Sequence, residues 1–124
     1  MTDAERAADV LHRAIAGDGL DDLAALYADD AVIWHNSDRI EMTKAASIAS
    51  IGGLGRIARE VHAEVVRFVE TPTGFVEQLV IKGTVAATGK PIALHNCLVV
   101  TLRDGQIARL DEYVDPTGAA QFSA

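Results

Sequence analysis

Cysteine occurs once, as Cys97, so no disulfide can form within the chain. The core alone must hold the fold, and a reducing compartment, the cytoplasm, is the expected home. No run of about 18 apolar residues exists, which excludes a hydrophobic helix across a bilayer. The opening MTDAERAADVL carries acids early and does not read as a signal peptide. Basic residues are few, with 11 Lys and Arg against 18 Asp and Glu and a net charge of -7. No nucleic-acid partner is expected, because phosphate contacts need clustered Lys and Arg, and no membrane partner either. Repeats and low-complexity stretches are missing. His12, His35, His62 and His95 lack ligand spacing of the HExxH kind, so no metal site is expected. Ser37, Ser47 and Ser50 lack the GxSxG setting of a serine nucleophile. Gly52, Gly53 and Gly55 have neither phosphate-loop spacing and read as a helix end and loop.

What is present fits one domain over residues 1–124, with hydrophobic residues at 49%, enough for a core. Thr2 and Glu5 have capping-box spacing. The stripe Ala4, Ala7, Ala8, Leu11, Ala14 and Ile15 predicts a helix ending near Gly17. Asp21 is the expected cap of a short second helix with Leu23, Leu26 and Tyr27 inward. Asp29-Asp30 predicts a turn, and 31–36 a short strand. A third helix is expected over about 43–51. Four strands then follow, roughly 61–70, 75–87, 92–102 and 106–115. Pro72-Thr73-Gly74, Thr88-Gly89-Lys90-Pro91 and Asp104-Gly105 supply the turns between them. The tail from Pro116 to Ala124 is expected to fray. Helices first and strands after predict the α+β class.

Three polar residues stand in rows that are otherwise apolar, given the alternation of strand side chains. Asn96 interrupts Ile92, Leu94, Leu98, Val100 and Leu102. Glu112 interrupts Ala108, Leu110 and Val114. His35 follows Ala31 and Ile33. Burying such groups without partners is costly, so each needs a partner or a purpose. His35 can be a satisfied histidine at the core rim, Asn96 a residue bonded to a neighbour, and Glu112 the partner of an arginine. Convergence on one apolar pocket is the alternative, since pockets of that kind are the default binding site. Trp34 is core or pocket wall. Cys97 lies on the strand face opposite Asn96 and reads as an inert thiol. On that second face Ala93, Cys97, Val99 and Ile107 are apolar, and a homodimer through the outer sheet face is expected to cover them.

The run Ala25-Leu26-Tyr27-Ala28-Asp29-Asp30-Ala31-Val32, continued by Ile33-Trp34-His35-Asn36, resembles the helix–turn–strand signature of the ketosteroid isomerases, SnoaL-like polyketide cyclases and limonene-epoxide hydrolases. Thr88-Gly89-Lys90, 102–105 and 107–115, with Glu112-Tyr113-Val114-Asp115, resemble the superfamily's last two strands. The resemblance implies a cone-shaped, highly curved, mainly antiparallel sheet with three N-terminal helices enclosing one apolar pocket. It places His35 where the isomerases keep their aspartate base and the hydrolases an asparagine that holds water. Glu112 stands where the hydrolases keep a catalytic aspartate. Gln78 and Val80 stand at their arginine and second aspartate, and Ile33 at their tyrosine. Leu98 lies near the isomerases' protonated aspartate, and no tyrosine occurs around 10–12. What remains resembles the SnoaL-like group.

On this reading His35, Glu112 and Asn96 are the candidate catalytic residues. Ile33, Trp34, Gln78, Val80, Leu94, Leu98 and Leu110 are the candidate substrate contacts. An imidazole titrates near working pH and can take a proton α to a carbonyl, with Asn96 donating to the enolate oxygen. The expected activity is a cofactor-independent isomerase, cyclase or dehydratase acting on a small hydrophobic carbonyl compound. A non-catalytic module binding a hydrophobic ligand or dimerising is the second reading, and water addition with Glu112 as base the third.

Overall fold

The computed structural model describes residues 1–120. Thr2 and Glu5 form the expected capping box, which opens α1 (Asp3–Ile15). Its small apolar stripe, Ala4, Ala7, Ala8, Leu11 and Ala14, is buried, together with Val10. Helix α2 (Leu20–Leu26) is capped by Gly19 rather than Asp21. Asp21 and Asp22 lie in its first turn instead, where negative charge suits the helix dipole.

Strand β1 (Tyr27–His35) starts earlier than expected and runs through Asp29-Asp30. Both aspartates are exposed in a register shift, and Lys44 and Arg103 pair with them. A short β2 (Glu41–Thr43) follows, then α3 (Lys44–Gly52), whose Thr43 cap accepts from the Ala46 amide. Gly53 ends α3, and a four-residue α4 (Leu54–Ile57) replaces the predicted loop. The helical part before the long strands is therefore α1, α2, α3 and α4, four helices rather than the expected three, with β2 added to the expected β1 between them.

The second half is the predicted run of long strands, β3 (Ala58–Thr71), β4 (Gly74–Val85), β5 (Pro91–Arg103) and β6 (Gln106–Val114). All lie in one open, curved sheet of six strands ordered β2-β1-β6-β5-β4-β3. Every pairing is antiparallel except β1 with β6, which is parallel. Asp104 and Gly105 both have positive φ, 54° and 78°, as a tight twisted hairpin turn requires. Gly74 has no room for a side chain, since a Cβ there would lie 2.0 Å from the Val100 carbonyl oxygen.

The concave face carries Phe75, Glu77, Leu79 and Ile81 of β4 opposite Val100, Leu98, Asn96 and Leu94 of β5. Helix α1 packs over this face, and the core forms between them. A register shift between Thr101 and Leu102 turns Ile107 into the core, not onto the outer face as expected. The tail departs from expectation as well. Asp115 accepts from the Thr117 amide, and Pro116–Ala119 form a short helix α5. Residues 121–124 of that predicted frayed tail lie outside the described residues. No helix among the described residues is long and apolar enough to cross a membrane.

Candidate functional site

The site begins with strand parity. Ile33 and His35 of β1 point to the concave face, and the parallel register sets His35 opposite Glu112 and Ile33 opposite Leu110. His35 Nε2 lies 2.9 Å from Glu112 Oε1. Asn36 fixes this register. Its amide nitrogen bonds the Glu112 carbonyl, and its side chain both accepts from Val114 N (2.8 Å) and donates to Val114 O (3.2 Å). The side chain thus extends the ladder one step past the pair.

Both side chains face a cavity of about 190 Å³ between the sheet and the helices. Its floor is Ile33, Ile81, Leu94, Leu98 and Leu110. Leu11 and Ile15 of α1 form one wall. Ser47, Ser50, Ile51 and Leu54, at helical spacing along α3 and into α4, form the other. Met42 and Tyr27 complete it. The buried Tyr27 hydroxyl and Ser47 Oγ are 3.1 Å apart, which gives the cavity a second polar spot. Lys44 holds the Tyr27 backbone by donating to its carbonyl oxygen at 3.1 Å.

The electrostatics follow from these contacts. The hydrogen bond to Glu112 raises the His35 pKa above its ordinary 6.5; burial opposes this, and the charges of Glu112 and Asp38 reinforce it. Burial raises the Tyr27 phenol, the Ser47 hydrogen bond works against it, and the Glu112 charge adds to it. Tyr27 therefore keeps its proton and can donate it in a hydrogen bond. No group of three or more His, Cys, Asp or Glu among the described residues is arranged to hold a metal.

Of the ten residues picked from the sequence, His35, Glu112, Ile33, Leu94, Leu98 and Leu110 line this cavity. Four do not. Asn96 is on the concave face but buried between Leu79 and Val114. Its Nδ2 donates to the Leu94 carbonyl oxygen at 3.2 Å, and its Oδ1 has no protein partner. Trp34 falls between two inward residues and so points out, where it meets Tyr113 edge-on at 5.4 Å. Gln78 and Val80 also point out, because β4 turns Glu77, Leu79 and Ile81 inward. Their assignment rests on the resemblance alone, and strand parity gives the concave face to their odd-numbered neighbours.

Glu77 is a residue the sequence reading passed over. It is 1% exposed and pairs with His12 of α1, while its Oε2 has no protein partner. The signal was available, as Glu77 is the one acid among Phe75, Leu79 and Ile81. Tyr27 was read as inward but given no role, and Ser47 was considered only as a nucleophile.

A family model for the SnoaL-like domain matches residues 7–110. The chain belongs to the SnoaL-like domain family. No curated protein matches it. Among solved structures, the SnoaL-like chain is similar to IdmH of Streptomyces antibioticus, a candidate polyketide cyclase. The TM-score is 0.83 at 20% identity, covering 98% of this chain and 99% of that one. It is also similar to a protein with a ketosteroid isomerase-like fold from Catenulispora acidiphila, solved with trimethylamine. Here the TM-score is 0.81 at 15% identity, over 94% and 91% of the two chains. An LEH-like epoxide hydrolase of M. tuberculosis gives 0.77 at 15%, over 97% and 88%. At these identities the likeness shows the fold of the SnoaL-like chain, whereas the chemistry rests on its own residues.

Proposed function

We propose that this SnoaL-like domain is a cofactor-independent isomerase, cyclase or dehydratase that moves a proton on a small hydrophobic carbonyl compound. The observation that carries the reading is the 2.9 Å His35–Glu112 pair in the wall of an apolar cavity. With Nε2 turned to the carboxylate, neutral His35 donates Nε2–H to Glu112 and keeps its lone pair on Nδ1. It takes the proton α to the carbonyl, becoming imidazolium, and the electron pair passes to the carbonyl oxygen as an enolate. Glu112 stabilises the imidazolium. The same proton is then returned at another carbon or to a leaving hydroxyl.

The enolate needs a donor. Asn96, the first candidate for that role, is off the cavity, and Tyr27 with Ser47 takes its place. Two hydroxyls joined by one hydrogen bond leave one O–H hydrogen of the pair to give to the oxygen. A preorganised donor of this kind contributes about 3 kcal/mol in a dry site.

Exchange of the α-protons of 2-heptanone in D2O, followed by NMR, tests the base without knowledge of the product. The wild type accelerates exchange, and His35→Gln abolishes this while its far-UV circular dichroism and melting temperature stay close to wild type. Full exchange activity in a folded His35→Gln variant refutes the proposal. A wild type that binds 2-heptanone without accelerating exchange favours the second reading, a binding module that uses the same apolar cavity. Water addition with Glu112 as base is the third reading; it predicts loss of epoxide opening in Glu112→Gln with His35→Gln still active.

A further inference from the structure

A second hollow of about 440 Å³ adjoins the first. It is bounded by the end of α1 and start of α2 (Ala14 to Leu20), by Gly52 and Gly55 around the α3–α4 junction, and by the start of β3 (Ala58–Val61). Ile15, Ile51 and Leu54 line both spaces, so the two hollows adjoin at these three side chains. They come from three different elements, α1, α3 and α4. The inner chamber holds the polar groups His35, Glu112, Tyr27 and Ser47. The outer one is walled by alanines, glycines and aliphatic side chains, with the exposed Arg59 and Glu60 on its wall.

From this shared wall we infer that the outer hollow is a second binding subsite, which takes the aliphatic tail of a linear carbonyl compound whose carbonyl end sits in the inner chamber. The inference rests on the reading of the inner chamber given above and extends it to substrate shape. A ligand confined to the inner chamber is small. One that passes between Ile15, Ile51 and Leu54 adds contacts with the apolar side of the outer hollow, Ala14, Leu20, Ala58 and Val61. Each methylene so buried adds about fourfold in affinity.

Gly55 makes the subsite testable. It lines the outer hollow and not the inner one. A Cβ there meets no heavy atom within 4 Å, and its backbone is not in the left-handed region, so a side chain is accepted without strain. Gly55→Trp sets a bulky side chain on the wall of the outer hollow. The experiment measures the dissociation constants of 2-heptanone and 2-undecanone by isothermal titration calorimetry. In the wild type the longer ketone binds on the order of a hundredfold tighter. In Gly55→Trp this ratio falls below about tenfold, and Gly55→Leu lies between the two.

A wild-type ratio near one overturns the subsite, as does a ratio that Gly55→Trp leaves unchanged. If Gly55→Trp does not fold, Gly55→Leu decides by the same ratio. Failure of both ketones to bind saturably refutes the carbonyl site of the previous section and the subsite with it. Saturable binding of 2-heptanone with a flat length series refutes the subsite alone. His35→Gln keeps the length dependence, because binding of the tail is independent of proton transfer.

Discussion

The imidazole of His35 has its pKa raised by its bond to the Glu112 carboxylate, and the sign of its effects follows. A base must be unprotonated, so α-proton exchange rises with pH through an inflection above 6.5. Replacing Glu112 by Gln removes the charge that holds the proton, and the inflection moves down. A pH–rate profile whose midpoint stays put in Glu112→Gln contradicts this. Stability has the opposite trend. A group with a raised folded pKa contributes fully below its unfolded pKa, and that contribution is lost as pH rises through the folded value. Urea midpoints of the wild type, compared with His35→Gln, should therefore converge above that window. Glu77 gives a second test, because it is almost wholly buried and His12 is its partner. His12→Ala strands that carboxyl and costs about 3 kcal/mol by urea unfolding, whereas His12→Leu with Glu77→Met costs far less. The rule that a lone polar residue in an apolar row needs a partner found Glu112 and applied equally to Glu77. It misled at Asn96, where the partner is a carbonyl of its own strand and the row position lies off the cavity.

Helices and strands carry their own predictions. Thr2→Ala removes a cap that accepts the Glu5 amide and lowers stability by about 1 kcal/mol, measurable as a shift in the urea midpoint. Gly74→Ala is far worse, since a Cβ would sit 2.0 Å from the Val100 oxygen, and the hairpin joining β3 and β4 must deform. Equal urea midpoints for Gly74→Ala and wild type would overturn that reading. These elements were readable in the sequence for local reasons. The capping box, the apolar stripe of α1, the Asp104-Gly105 turn and the alternation along β5 each act within a few residues. Elements set by distant partners were not readable. Asp29-Asp30 has turn chemistry, yet it joins β1, where Lys44 and Arg103 pair with the two acids. Parity also failed at Ile107, because a register shift between strands leaves no mark in either strand alone. Likewise the cavity wall made by Ser47, Ile51 and Leu54 depends on how α3 and α4 dock, which sequence periodicity does not fix.

On the scale of the whole molecule, the convex face is the part without cover. Val69, Val99 and Tyr113 are exposed there beside Trp34, Val80 and the partly buried Cys97. Around them stand the mixed charges of Lys82 with Glu64 and Arg109 with Glu41 and Asp111. A second copy of the chain fits a face with both signs at its edge, and sedimentation equilibrium should then report twice the 13.2 kDa chain mass. Tyr113→Glu should return it to one chain mass, and a monomeric wild type refutes the pairing. The parallel pairing of β1 with β6 has a further consequence. The imidazole and carboxylate that face each other there come from positions 35 and 112, far apart in the sequence. A chain cut before β6 therefore keeps the imidazole but loses both its carboxylate partner and the strand that aligns the two.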